Sequence, residues 1–321
     1  MDRHLGIDRV VSEAFSLGWE RGFIFVRLFW APLLLAVGVS TAVGLVLAQI
    51  FAVLFATGFD PNGSNGPLLF WGLTGLNLVV LVFTTFLFGA AVAAFYRFVV
   101  TGETPKGLVH VNFAGPSVRT AIAQLGFGLL FYLSMLGPIS LAVFLATRPE
   151  IGPWGQEIRH FETFRLSDEA IATLQTGYGV GLLVSLILGA ILTPLAPMAA
   201  VENRLHPIRA AALSLPRLHS IFTAYVLFIL CAAALYFVLG LGLGILEVGF
   251  IAFESLIGAP RAGFIPFLTI GYTLLVIAAF SVAAAQAALP ALIYKRLVEI
   301  REAGEEEAGP PGLTGPAGDA G

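Results

Sequence analysis

The stretch Glu202 to Tyr236, ENRLHPIRAAALSLPRLHSIFTAYVLFILCAAALY, decides the fold. A charged patch leads into a short amphipathic segment, and that segment passes without a loop into a long apolar run. The chain opens in the same order, where His4 to Trp30, HLGIDRVVSEAFSLGWERGFIFVRLFW, runs into the first apolar stretch. Set side by side, Ala14-Phe15-Ser16-Leu17 falls over Ala212-Leu213-Ser214-Leu215, and Gly22-Phe23-Ile24 over Ser220-Ile221-Phe222. The repeated unit reads as an elbow, a helix lying on the membrane surface that then dives into it.

Composition names the solvent. With 58% hydrophobic and 12% charged residues in 321, the chain is too apolar for a soluble fold, where about a quarter of residues carry charge. Several runs exceed the roughly 20 apolar residues that a helix needs to cross the hydrocarbon core. They are continuous and do not alternate, so helices and not a barrel are expected. The formal net charge of -3 selects no class of partner. The first residues mix acids with bases and offer no apolar core with a small-residue cleavage site, so no cleaved leader is expected. The single cysteine, Cys231, sits in an apolar run and reads as a small core residue.

The fold class expected is an all-α membrane protein with six transmembrane helices and amphipathic interfacial helices leading into them. The spans fall at about 25–55, 68–99, 118–146, 171–201, 220–246 and 264–294. The division is an amphipathic segment over 1–24, a membrane domain over 25–297, and a disordered acidic, Gly/Pro-rich tail over 298–321. On the side of the N-terminus lie Arg3, Arg9, Arg21, Arg27, Arg97, Lys106, Arg119, Arg204, Arg209, Arg217, Lys295, Arg296 and Arg301. Only Arg148, Arg159, Arg165 and Arg261 lie on the other. The positive-inside rule then puts both termini in the cytoplasm; two lysines against fifteen arginines, with heavy use of Ala, Gly and Pro, are associated with a GC-rich bacterial genome, so a bacterial inner membrane is expected.

Within the first elbow Ile7, Val10, Val11, Ala14 and Phe15 make an apolar stripe at helical spacing. In the second copy Ile208, Ala211, Ala212 and Leu215 make it, with Pro207 suited to a first helical position and Pro216 expected to end or kink the segment. Three spans end alike, at Tyr96-Arg97-Phe98, Asn203-Arg204-Leu205 and Tyr294-Lys295-Arg296-Leu297, which suggests a threefold repeat of helix pairs. In the middle unit Val109, Val111 and Phe113 alternate with polar residues and read as extended. Pro138, Pro194, Pro197 and Pro290 are expected to kink their spans. The run from Ser220 to Gly258 is nearly twice a membrane's thickness as a helix, so a break is expected near Gly240, Gly242 and Gly244.

Few residues invite chemistry. Glu247 and Glu254 stand seven apart, on one face of a continuous helix, and are the candidates for an ion-coupling site. Glu157, His160 and Glu162 resemble a metal set only locally, because a helix-bundle metal site takes a second Glu-x-x-His from another helix and none occurs. Asn77, Gln124 and Gln286 read as helix-to-helix hydrogen-bonding groups, and Gly177 with Gly181 and Gly240 with Gly244 as close-approach positions. No phosphate loop, zinc-protease motif or nucleophile elbow is present. No catalytic, cofactor-binding or metal site is expected.

At the joints ALSLPRLHSIFTAYVLF and AAFYRFVVTGETP the chain resembles the six-span bacterial inner-membrane families that include the membrane domain attached to some glycerophosphodiester phosphodiesterases. The likeness covers most of the spans, rests on degenerate joints and carries over no catalytic residue. It implies a multipass inner-membrane protein. The functional expectation is a structural or accessory role without enzymatic activity, the alternative being a transporter of a lipid or small molecule, with or without coupling to an ion. The partners expected are membrane lipids and other membrane proteins or a second copy, with no nucleic acid.

Overall fold

The computed structural model describes residues 5–56, 66–105, 107, 114–146, 150–151, 157–158, 168–257 and 265–308. The expected extended segment at Val109 to Phe113 lies outside them. The described residues are all-helical, turns apart, except for a two-residue antiparallel pairing, Glu150 opposite Ile158. The helices are α1 (Ile7–Ala56), α2 (Gly66–Thr101), α3 (Gly115–Ala146), α4 (Asp168–Leu192), α5 (Leu195–Glu202), α6 (Pro207–Ser214), α7 (Leu218–Ile257) and α8 (Ile265–Ala308). Among the described residues five stretches are long and apolar enough to cross a membrane: 7–54, 78–101, 175–202, 207–242 and 269–304. The 32-residue α3 is a further long apolar helix.

Punctuation residues set several of the ends. Gly102, at φ +76°, terminates α2 by taking the left-handed position that side chains avoid, and its N–H reaches back to the Phe98 carbonyl at 3.0 Å. Asn203, at φ 55°, does the same for α5. Thr193 and Pro194 separate α4 from α5, so one of the prolines expected to kink the fourth span divides it in two. Pro207 opens α6, and Pro216 lies in the 3-10 turn Leu215–Arg217 that joins α6 to α7.

The second elbow is therefore a joint, and the first is not. α1 runs unbroken for 50 residues through both the amphipathic segment and the first apolar run. Its apolar stripe is buried by protein and not spread on a membrane surface: Val10, Val11 and Ala14 are buried, and Phe15 stacks on Phe228 of α7 at 5.0 Å. Without a proline between residues 14 and 31, nothing removes a backbone hydrogen bond there, and the helix continues. The α6 stripe also differs from expectation. Ala210, Leu213 and Ser214 face the protein, while Ile208 is 85% and Leu215 55% exposed. Nor does α7 break at its glycines: it runs as one helix from Leu218 to Ile257, and among the described residues nothing outside its own backbone comes within 4 Å of a Cβ placed on Gly240, Gly242 or Gly244. Glycine permits a bend, but here no neighbour imposes one. Past Leu297 the last helix continues to Ala308, helped by Arg296 pairing with Glu299 at 2.8 Å one turn on.

Packing concentrates at one end of the bundle. The buried apolar cluster takes Leu5, the first part of α1 (Val10 to Leu28), the last part of α2 (Ala91 to Val99), α5, α6, the start of α7 (Ile221 to Ala232) and α8 from Val282 to Leu297. Small residues permit the contacts. A Cβ added to Gly18 would collide with the Ser281 carbonyl oxygen of α8, and one added to Gly89 would stand 2.6 Å from the Ala121 methyl of α3. Gly181 likewise lies against the Ser134 carbonyl, and the Ser134 and Ser185 hydroxyls bond across the α3–α4 contact. Away from that end the helices show their apolar side chains: Leu34, Leu45, Val53, Leu183, Phe237, Leu241 and Ile270 are all more than half exposed.

Candidate functional site

The site is built from arginines that fasten loops to the packed end. Arginine holds several donors in a planar fork, so one side chain can satisfy carbonyls stranded at helix ends. Arg27 of α1 donates to the carbonyls of Pro105 and Gly107, both at 2.8 Å, in the segment after α2. Arg97 of α2 donates to the Ala200 carbonyl of α5 at 2.8 Å, and Arg119 of α3 to the carbonyl of Asn203. The end of α5 is thus held from two other helices.

Glu202 is the acid of this region. One carboxylate oxygen accepts from Arg209 at 2.6 Å, and the other from the Tyr294 hydroxyl of α8 at 2.7 Å. Across the bundle, Arg296 bridges Glu299 at 2.8 Å and Glu13 of α1 at 3.5 Å. A second polar line runs through the interior. Tyr96 of α2 is hydrogen-bonded to Gln124 of α3, and Thr193 donates to the Tyr225 hydroxyl of α7 at 3.3 Å. These bonds join four segments that apolar contact alone would leave free to slide.

Beside this lies an open hollow of about 410 Å³ lined by Arg119, Asn203, Arg204, Leu205 and His206. Three of the five carry basic groups and none is acidic, so its chemistry suits an anion. Among the described residues no carboxylate pairs with Arg119 or Arg204, because Glu202, next in sequence, is already engaged by Arg209 and Tyr294. The sequence signals it only as the charged ending Asn203-Arg204-Leu205. Arg119, separated from it by the length of α3 and α4, is supplied by tertiary structure.

The other candidates fare unevenly. Glu247 and Glu254 both fall on the unbroken α7, but their side chains lie outside the described residues, as does that of Asn77. Glu157 is in the two-residue pairing, whereas His160 and Glu162 lie outside the described residues. Among the described residues no group of three or more His, Cys, Asp or Glu is placed to hold a metal. Gln124 makes the helix-to-helix bond expected of it, and Gln286 is exposed. Among the described residues Gly240 and Gly244 meet no partner helix, while Gly181 does. Cys231, expected in the core, is exposed: its neighbour Ala232 takes the inward position on α7. No family model, curated protein or solved structure matches the chain.

Proposed function

We propose that the chain is a six-span protein of a bacterial inner membrane, with both termini cytoplasmic and a structural or accessory role. One observation carries the reading: the end of the bundle that gathers Arg27, Arg97, Arg119, Arg209 and Arg296 is close-packed and cross-fastened, as a rigid platform requires. Arginine-rich joints face the cytosol under the positive-inside rule, which makes this the cytoplasmic face. The endings that suggest a threefold repeat, at Tyr96, Asn203 and Tyr294, all belong to it, with Tyr96 and Tyr294 buried. On this reading the exposed apolar side chains of the other end meet lipid.

Flux through the purified chain is the test. In proteoliposomes, permeability to protons and small solutes is expected to equal that of empty vesicles. A flux driven by a pH gradient, and abolished by Glu247→Gln with Glu254→Gln, would replace the accessory role by ion-coupled transport. The topology is checked separately in a Cys231→Ser background, where single cysteines at Trp154 and at Ala317 are expected to label from opposite sides.

A further inference from the structure

We propose that the basic hollow at Arg119, Arg204 and His206 holds the phosphate of an anionic phospholipid, and that α6 beside it supplies the apolar contact for the lipid's chains. The inference rests on the membrane reading above and adds a ligand to it. Charge gives the first half of the argument. Arg119 spends one donor on the Asn203 carbonyl, Arg204 is exposed, and neither meets a carboxylate among the described residues. A guanidinium pair with a neighbouring imidazole is a donor set made for phosphate oxygens.

The apolar half distinguishes a lipid from a free anion. One residue after His206, α6 begins, and it is docked on the protein through Ala210, Leu213 and Ser214. At 100° per residue, Ile208, Ala212 and Leu215 fall together on the opposite face. Ile208 is 85% and Leu215 55% exposed, so that face is turned outward, starting two residues after His206 of the hollow's lining. A soluble anion would gain nothing from an apolar flank. A phospholipid, whose phosphate and acyl chains sit at adjoining depths, uses both.

The experiment takes the full chain, purified in detergent, and asks two questions in order. It is first floated with phosphatidylcholine vesicles; failure to float would overturn the membrane reading itself. Retention of radiolabelled phosphatidylglycerol and phosphatidylcholine is then measured for the native chain, for Arg204→Gln with His206→Gln, and for Arg21→Gln, an exposed arginine of α1 outside the hollow. The double variant is expected to retain about fivefold less phosphatidylglycerol, in line with one basic residue's share of lipid attraction. Its phosphatidylcholine retention should stay unchanged, and Arg21→Gln should match the native chain. Undiminished phosphatidylglycerol retention, or an equal fall for both lipids, overturns the proposal. So does inorganic phosphate displacing phosphatidylglycerol as well as unlabelled phosphatidylglycerol does, since the site would then take a free anion.

Discussion

The middle of α8 and the middle of α7 are both apolar, yet one is interior and the other is surface. From Ala278 to Leu297, α8 buries Ala284, Ala285, Ala288, Leu289, Ala291, Leu292 and Ile293 almost completely. From Phe237 to Val248, α7 leaves Phe237, Val238, Leu241, Ile245 and Val248 more than half exposed. Hydrophobicity does not separate them. Side-chain size does: AAFSVAAAQAALPALI is dominated by alanine, whereas FVLGLGLGILEV sets bulky residues around glycines that no neighbour touches. Between apolar helices in an apolar medium there is little gain from leaving solvent, so close approach and dispersion contact decide which faces meet. Small residues on α8 let α1 come close, and bulky ones on α7 keep partners away.

The sharpest way to break this comparison is to put one bulky residue into both helices. Ala288→Phe forces a ring into a fully buried position and is expected to cost about 3 kcal/mol. Ala234→Phe, at an exposed position of α7, should stay within about 0.5 kcal/mol. Thermal unfolding of the two variants in the same detergent separates them, and equal losses would mean that α7 is also packed. Glycine offers a test in which the sign changes. Gly18→Ala pushes a methyl against the Ser281 carbonyl and is expected to cost about 2 kcal/mol. Gly240→Ala meets open space and should stabilise by about 0.5 kcal/mol through helix propensity.

The sequence made the helices legible because an apolar run of spanning length has few other structures open to it. Several ends were legible too, where Pro207 and Pro216 mark the joint around α6. What could not be read is which environment each apolar face meets. The stripe Val10, Val11 and Ala14 demands an apolar neighbour, and both a membrane surface and α8 with α7 satisfy the demand. The same ambiguity misplaced Cys231, since in an all-apolar run the inward face has no contrast with the outward one. In the candidate site, Gln124 was visible as a lone polar group in a span, whereas the convergence of Arg119 on Arg204 and His206 joins residues about 85 apart in the chain and has no local signature.

The smallest expected effect asks whether the polar bonds of the packed end add to what small residues already achieve. Glu202 accepts from Tyr294 and from Arg209, so each bond can be removed without stranding the carboxylate. Tyr294→Phe deletes only a hydroxyl from a buried ring and is expected to cost about 0.6 kcal/mol, the average for polar contacts between membrane helices. Arg209→Gln should cost less, because its side chain is 44% exposed and water competes for the carboxylate. The double variant is the informative one. If Glu202 is held in place by both partners jointly, losing both frees it to turn toward Arg204 and Arg119, and the combined loss will fall short of the sum of the single ones. A strictly additive result would mean that Glu202 stays where it is without them, fixed by the helix end that Arg97 and Arg119 clamp.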